Sequence, residues 1–178
     1  MRRWFRAAPS RDTLITLVSS LPMTSFHLGI ISDTHGLLRA EALAALKGSQ
    51  VIIHAGDVGD PAILDHLKTI APVFAVRGNV DTDPWASSLP LTEVVQLDSA
   101  SIYVLHNLKQ LDLNPAASGF HIVIAGHTHQ PDSHWQDGVL YINPGSAGPR
   151  RFSLPISLAR LDLGKTPWQV EFPNLPAN

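Results

Sequence analysis

The sequence contains no cysteine, and this absence excludes disulfide bonds, thiolate metal sites and cysteine nucleophiles. It also lacks any apolar run near the roughly 20 residues needed to cross a bilayer, so we expect no membrane partner. Charge is scarce as well: 16% of the residues are charged, and the formal net charge is −2. This balance gives no electrostatic reason to expect a nucleic-acid polymer as the partner.

The remaining composition is typical of a globular protein with a full core, with 178 residues of which 44% are hydrophobic. We predict a single domain over residues 26–172, an unstructured N-terminal extension over 1–25 and a frayed tail over 173–178. The basic opening resembles a targeting peptide only loosely, because Asp12 interrupts it, and Met23 is an alternative start. We therefore expect a cytoplasmic protein.

From Phe26 onward, short apolar runs alternate with helical stretches. Strands are predicted over 26–32, 50–54 and 72–76, and helices over 38–47 and 61–70, the second of which begins with Pro61. This order predicts a largely parallel sheet with right-handed crossovers. The second half is richer in strands, with candidates over 93–97, 101–105, 121–125, 139–142 and 156–163. Only 108–117 could hold a helix there, and Pro115 shortens it.

Polar side chains follow the strands at the points where they end. The residues concerned are aspartates, an asparagine and histidines, in five separate turns, and glycine adjoins four of these turns. In open α/β sheets, ligands bind at the carboxyl ends of the strands, so we expect these side chains to converge. The set comprises Asp33, His35, Asp57, Asn79, His106, His127 and His129.

These seven residues offer hard oxygen and borderline nitrogen ligands, a mixture that suits Mn²⁺, Fe, Zn²⁺ or Ni²⁺. Seven ligands exceed what one ion with open positions would use, whereas two ions that share one carboxylate would use them well. Two divalent ions about 3.5–4 Å apart can activate a bridging water and hold both oxygens of an in-line displacement. A neutral Asn79 fits such a site, because a third carboxylate would weaken the attraction for phosphate.

Five motifs in this order, D-x-H, G-D, G-N-x-D, a later His and G-H-x-H, resemble the calcineurin-like metallophosphoesterase superfamily. The forms "HAGD", "RGNVD" and "NPGSAGPR" are similar to its small YfcE-type phosphodiesterase subgroup. The resemblance implies an αββα sandwich, a four-layer α/β fold in which helices flank two mixed β-sheets. It also implies a phosphodiesterase in which a hydroxide bridging two divalent metals attacks a small phosphate ester.

The resemblance favours Mn²⁺ as the metal, with Ni²⁺, Fe, Zn²⁺ or Mg²⁺ as alternatives. It further implies how the ligands divide between the two ions. Asp57 would bridge both ions and thereby take part in catalysis. The first ion would be held by Asp33, His35 and His129, and the second by Asn79, His106 and His127.

Two positions depart from the family pattern. Much of the superfamily has a histidine directly after the metal-binding asparagine, where it protonates the leaving group, and this chain has Val80. Asp81 follows and is predicted as a catalytic residue that delivers a proton, with orientation of a ligand or capping of the loop as alternatives. At the second position, Asn107 replaces the glycine that often follows the metal-binding His106.

Other polar residues receive weaker assignments. His54 is predicted to be packed or hydrogen-bonded beside the site, and residues 143–146 to form a supporting turn. Arg77 and Arg150 could contact substrate phosphate or form surface salt bridges. The tryptophans and Tyr141 show no stacking pattern for bases, and four histidines have no partner in sequence: His27, His66, His121 and His134.

A competing hypothesis is a protein-interaction scaffold like the retromer subunit Vps29, which shares this fold. A scaffold has no reason to keep all seven ligands, so the enzyme is favoured. A homo-oligomer is possible as well as a monomer. Alternation along an extended segment would place His127 and His129 on the same side. The resemblance nevertheless assigns them to different ions, so we predict that they serve one ion each and that both rings converge on Asp57.

Overall fold

The computed structural model describes residues 25–97 and 100–176. The predicted extension, apart from Ser25, lies outside the described residues. Within these residues, two α-helices and twelve strands follow one another: β1 (His27–Ile31), α1 (Ala40–Leu46), β2 (Val51–His54), α2 (Pro61–Lys68), β3 (Val73–Ala75), β4 (Thr92–Leu97), β5 (Ala100–Leu105), β6 (Ile122–Ile124), β7 (Pro131–Gln136), β8 (Val139–Pro144), β9 (Ile156–Ser157), β10 (Ala159–Asp162), β11 (Val170–Glu171) and β12 (Asn174–Leu175).

The strands form two five-stranded mixed sheets and one short pair. The first sheet has the order β11-β10-β1-β2-β3, in which β1, β2 and β3 are parallel. The second sheet has the order β4-β5-β6-β8-β7, in which β5, β6 and β8 are parallel. β9 and β12 form the separate antiparallel pair. The prediction of an α/β fold with two mixed sheets is confirmed.

Alternating side chains divide the interior into layers. Val51 and Ile53 of β2 belong to the cluster between the two sheets, whereas Ile52 faces the cluster under α1 and α2. α2 begins at Pro61, where the Asp60 side chain accepts a hydrogen bond from the Ala62 amide at 2.8 Å. Helices therefore cover the outer face of the first sheet.

The outer face of the second sheet has a different cover. Leu111, Leu113 and Phe120 pack against its apolar side chains, and they belong to an irregular segment. The helix predicted over 108–117 is reduced to a 3₁₀ turn over Leu108–Gln110, in which the Lys109 amide donates to the Asn107 side chain. No helix in residues 25–97 or 100–176 is long and apolar enough to span a bilayer.

Some strands differ from those predicted from the sequence. The strand predicted over 156–163 is divided at Leu158 into β9 and β10, which belong to different sheets. β7 and β11 were not predicted, because β7 is a largely exposed edge strand with polar residues and β11 has only two residues. The tail predicted to fray from residue 173 instead contains β12, where Leu175 is 5% exposed and pairs with Ile156.

Candidate metal centre

The loops that carry the seven predicted ligands meet at the carboxyl ends of the parallel strands. Backbone hydrogen bonds join them: the Asp33 amide donates to the Gly56 carbonyl, and the Gly126 amide donates to the His106 carbonyl, at 3.0 and 2.9 Å. The loop after β1 is thus tied to the loop after β2, and the loop after β6 to the end of β5. The structure brings all seven side chains to this edge.

One group of ligands consists of Asp33, His35 and His129. Asp33 Oδ1 lies 3.1 Å from His129 Nε2 and 3.9 Å from His35 Nε2. The two Nε2 atoms are 3.3 Å apart. One oxygen and two nitrogens therefore face a common point, and their spacing suits a metal ion.

The second group consists of Asn79, His106 and His127. Asn79 Oδ1 lies 3.0 Å from His106 Nε2 and 2.9 Å from His127 Nδ1. The rings of the two histidines meet edge to face, with centroids 5.2 Å apart. His106 is 5% exposed and comes from β5 of the second sheet, whereas Asn79 follows β3 of the first sheet. The second group therefore spans the two sheets.

Asp57 lies between the two groups. Its Oδ2 is 3.8 Å from His35 Nε2 and 3.3 Å from His106 Nε2, so one carboxylate oxygen faces both. Its Oδ1 accepts a hydrogen bond from the Val80 amide at 2.9 Å, which fixes the carboxylate. The contacts of the other two histidines differ from our prediction: His129 meets Asp33 and His127 meets Asn79, and the two rings do not converge on Asp57.

The donor set fits divalent metal ions. Asp33 Oδ1 is buried and accepts no hydrogen bond from the described residues, although His129 Nε2 is nearby. His106 Nδ1 lies 2.8 Å from the Ala55 carbonyl, which can only accept, so Nδ1 carries the hydrogen. In the neutral ring, Nε2 of His106 therefore presents a lone pair towards the oxygens of Asn79 and Asp57. Electron-rich atoms gathered in this way need a cation among them.

Burial and mutual hydrogen bonds also shift the pKa values of several ligand residues. Burial opposes protonation of His106, but the hydrogen bonds that the protonated ring makes to Asp57 and to the Ala55 carbonyl outweigh it and raise its pKa. Burial raises the pKa of Asp33. The pKa of Asp57 is lowered, because hydrogen bonds from His106 and from the Val80 amide outweigh the effect of burial. Burial also lowers the pKa of His35 and keeps its ring neutral, the form that binds metals.

The ligands sit on an unusual backbone. Five of them adopt the left-handed region that L-residues rarely occupy, with φ between 46° and 71°: Asp33, His35, Asp57, His127 and His129. Gly78 is needed for a different reason, since a Cβ there would overlap Asp57 Oδ1. Backbone strain concentrated on chemically competent residues is typical of a functional site.

Asp81 is placed differently from our prediction of a catalytic residue. It is 4% exposed, and both oxygens accept hydrogen bonds from backbone amides. Oδ2 binds the amides of Val58 and Gly78 at 3.1 and 2.9 Å, and Oδ1 binds the amide of Gly59 at 2.8 Å. Both oxygens of the carboxylate therefore join the loops after β2 and β3. The geometry matches the alternative of a residue that positions the ligand loops.

His54 and the turn at 143–146 support the site as predicted. His54 Nδ1 accepts from the Gly56 amide at 3.2 Å, and its Nε2 lies 2.9 Å from Thr34 Oγ1. Asn143 Nδ2 donates to the Gly126 carbonyl at 2.8 Å, and Ser146 Oγ donates to the Asp33 carbonyl at 2.9 Å. These hydrogen bonds hold the first and fifth ligand loops.

Three arginines near the ligand loops differ in their surroundings. Arg77 is half-buried and Arg150 is exposed, and neither forms an ion pair with residues 25–97 or 100–176. Arg151 was not singled out from the sequence, yet its charge, together with burial, lowers the pKa of His129 and also opposes protonation of His35. The two adjacent arginines in "PRRF" were the available signal, but sequence alone does not reveal which one faces the site.

The chain is similar to proteins of one known family. The family model of the calcineurin-like phosphoesterase superfamily domain matches residues 26–166. The chain is 32% identical over 148 residues to a probable metallophosphoesterase of Methanothermobacter thermautotrophicus, covering 76% of this chain and 86% of that protein. It is 30% identical over 155 residues to the phosphodiesterase YfcE of Escherichia coli K12, covering 74% and 84% respectively.

Solved structures give the same fold. Vps29 of Chaetomium thermophilum superposes with a TM-score of 0.67 at 21% identity, and the match covers 85% of this chain and 100% of that one. At this level of identity the likeness concerns the fold alone. The fold therefore does not separate an enzyme from a scaffold, and the side chains at the site have to do so.

Proposed function

Because the chain belongs to the calcineurin-like phosphoesterase superfamily, we propose that it is a phosphodiesterase that uses two divalent metal ions, with Mn²⁺ as the first choice. The position of Asp57 carries this proposal. One of its oxygens faces both ligand groups, at 3.8 Å from His35 Nε2 and 3.3 Å from His106 Nε2. A carboxylate in this position can bind two ions at once.

The residues divide by their contacts into two sets around that carboxylate. Asp33, His35 and His129 would hold one ion, and a second set, Asn79, His106 and His127, would hold the other. When bound, two such ions supply Lewis-acid activation of both water and the phosphate group. The protein contributes the orientation: the Val80 amide holds Asp57, and the Ala55 carbonyl sets the tautomer of His106.

The choice of a diester with a good leaving group follows from what surrounds the site. Val80 follows Asn79 and is 44% exposed, and it has no proton to give. The carboxylate of Asp81 is occupied by three backbone amides. General acid catalysis is typically worth about 10²–10⁴-fold, so a chain without it favours substrates whose leaving group departs unprotonated.

The scaffold hypothesis is the second candidate, and the ligand set argues against it. A Vps29-like role would require neither Asp33 Oδ1, a buried oxygen without a hydrogen-bond donor, nor five ligands on a strained backbone. Unsatisfied buried atoms and left-handed residues both reduce stability. A structural role would not compensate for this loss of stability, whereas bound metal ions would.

Hydrolysis of bis-p-nitrophenyl phosphate and of p-nitrophenyl phosphate, assayed with Mn²⁺, Ni²⁺, Zn²⁺ or Mg²⁺, tests the proposal. We expect release of p-nitrophenolate from the diester with at least one metal. Asp57→Asn should reduce the rate by at least about 100-fold, since it weakens a ligand to both ions. Asp65→Asn, an exposed carboxylate on α2, is the matched control and should retain activity.

Three results would contradict parts of the proposal separately. Inactivity with every metal would overturn the enzyme, and full activity of Asp57→Asn would overturn the metal-bridging role. Hydrolysis of the monoester alone would overturn the preference for diesters. The number of ions is tested by metal analysis of the dialysed protein, where two equivalents are expected for the wild type and fewer for Asp57→Asn.

A further inference from the structure

A groove of about 380 Å³ lies on the outer face of the second sheet, beside the metal centre. Its floor is formed by β6 and β8, and one wall is formed by β7. The opposite wall is the 3₁₀ turn at Leu108–Gln110, and the loop over residues 126–130 closes the upper end. The irregular segment that covers the rest of this face packs further along the sheet, so the groove stays open.

The register of the strands determines what lines the groove. Val123 of β6 is paired with Tyr141 of β8, which is paired with His134 of β7. Side chains directly opposite one another share a face of the sheet, so these three form one row on the outer face. The His134 and Tyr141 rings are parallel within 2°, with centroids 5.3 Å apart. His134 has no partner in sequence and Tyr141 no stacking pattern, and the pairing of β7 with β8 supplies both.

The ring pair is held in place and is followed by smaller side chains. His134 Nδ1 lies 2.7 Å from Asp132 Oδ2, which fixes the plane of the imidazole. The next row of the floor towards the metal centre contains Ala125, whose small side chain leaves space above the sheet. Lys109 on the opposite wall is exposed and contributes a positive charge.

The upper end of the groove borders the loops that carry His106 and His127. Asn107 in the wall directly follows His106, and Gly126 and Thr128 in the closing loop flank His127. Asn143 Nδ2 lies 3.0 Å from Thr128 Oγ1, which ties the floor to that loop. An ester whose phosphate lies between the ligand groups can therefore extend its organic group past His106 and His127 into the groove.

We propose that this groove binds the organic group of the phosphate ester, and that this group is a planar aromatic ring, either an aryl group or a nucleobase. The inference rests on the proposed function, because the metal centre fixes where the phosphate lies. The apolar floor favours a flat hydrophobic face, and the parallel rings of His134 and Tyr141 offer a stacking partner. The volume lies within the range of about 300–1,000 Å³ that is usual for small-molecule sites.

The test measures binding without turnover, in the presence of Mn²⁺. Three phosphonates are compared by calorimetry, because their P–C bond resists hydrolysis: methylphosphonate, phenylphosphonate and an adenosine phosphonate. We expect the wild type to bind at least one of the two aromatic ligands about tenfold more tightly than methylphosphonate, the size expected for one stacked ring. An advantage for phenylphosphonate alone identifies an aryl group, and a larger advantage for the adenosine ligand identifies a nucleobase.

Two variants test whether the tighter binding of aromatic ligands depends on the His134 and Tyr141 rings. His134→Ala removes an exposed ring, and Tyr141→Leu replaces its partly buried neighbour with an apolar side chain. Both should lose most of the aromatic advantage. His66→Ala removes an exposed histidine from α2, on the outer face of the first sheet, and should keep it. His134→Ala is informative even if Tyr141→Leu fails to fold.

Equal affinities for the three phosphonates, or an aromatic advantage that survives in His134→Ala, would overturn this proposal. Neither result depends on the assay of hydrolysis. An active diesterase without aromatic preference contradicts only the groove, whereas an inactive protein that binds aromatic phosphonates more tightly contradicts only the proposed function.

Discussion

His54, at the end of β2, is a fully buried histidine that the fold keeps neutral, and its replacement should change how stability depends on pH. The Gly56 amide donates to Nδ1, so the hydrogen of the neutral ring is on Nε2 and points to Thr34 Oγ1. The hydroxyl of Thr34 in turn donates to the Val58 carbonyl at 2.9 Å. His54→Gln keeps a donor and an acceptor at this position but removes the titratable group.

The magnitude follows from the pKa of His54, which falls from 6.5 to about 4, chiefly because burial disfavours the charged ring. Below pH 6.5 the unfolded chain binds a proton at this residue, whereas the folded protein does so only near pH 4. Stability is therefore complete above the unfolded pKa and is lost as the pH falls. With ~1.36 kcal/mol per pKa unit, the loss amounts to about 3 kcal/mol in total and about 2 kcal/mol by pH 5.

Urea unfolding between pH 5 and 8, with a chelator present so that metal binding does not contribute, measures this effect. Between pH 7.5 and 5, we expect the wild type to lose about 2 kcal/mol more of its free energy of unfolding than His54→Gln does. His66→Gln, which replaces an exposed histidine on α2, is the control and should behave like the wild type. Parallel pH profiles for the wild type and His54→Gln would refute the argument that His54 is buried in its neutral form.

Two further predictions concern the loops that carry the ligands. Asp81→Ala and Asp81→Asn should each lower the free energy of unfolding by about 2–4 kcal/mol, since they leave buried amides without a charged acceptor. Both should weaken Mn²⁺ binding while leaving the dependence of rate on the leaving group unchanged, whereas a selective loss with poor leaving groups would make Asp81 a general acid after all. Gly78→Ala should displace Asp57 and reduce diesterase activity by at least about 100-fold. Gly138→Ala, where a Cβ meets open space and the φ of 78° strains only the turn between β7 and β8, should retain it. Activity retained by Gly78→Ala would show that the Asp57 carboxylate can move without consequence.

The sequence predicted which side chains converge because their position depends on topology. Parallel strands end at the same edge of a sheet, so residues that directly follow predicted strands must meet there. The centre needed no knowledge of side-chain conformation, and small errors in strand boundaries did not affect it. β3, for example, was predicted two residues too long, yet Asn79 still lies beyond its end.

Other features depend on contacts between distant segments and left weaker signals. β12 has two residues and exists because Leu175 fills a gap under α1 and α2 that no local pattern reveals. β7 is polar and begins with Pro131, which in isolation indicates a loop. Its pairing with β8 is what creates the groove lined by His134 and Tyr141. A sequence pattern therefore located the candidate metal ligands more readily than the groove lined by His134 and Tyr141.

The failure of alternation at "GHTH" explains how one short segment can contribute to two ligand groups. Alternation assumes extended backbone, but His127 and His129 have φ values of 71° and 60°. With two turns of this kind separated by Thr128, the segment folds instead of extending, and its two rings diverge towards Asn79 and Asp33. Each left-handed residue costs roughly 1–2 kcal/mol, so the conformation requires compensation from elsewhere.

That compensation comes from hydrogen bonds that involve the ligands' own backbone. The His127 amide donates to Asp33 Oδ2 at 3.1 Å, and the His35 amide donates to the Asp57 carbonyl at 3.0 Å. Each ligand loop is thus held by another ligand, together with the supports from His54, Asp81 and Ser146. Because a hydrogen bond contributes only about 0.5–1.5 kcal/mol, no single contact offsets the strain, and the network must act together. We infer that substitutions throughout this network will alter metal affinity even when they leave all seven ligands in place.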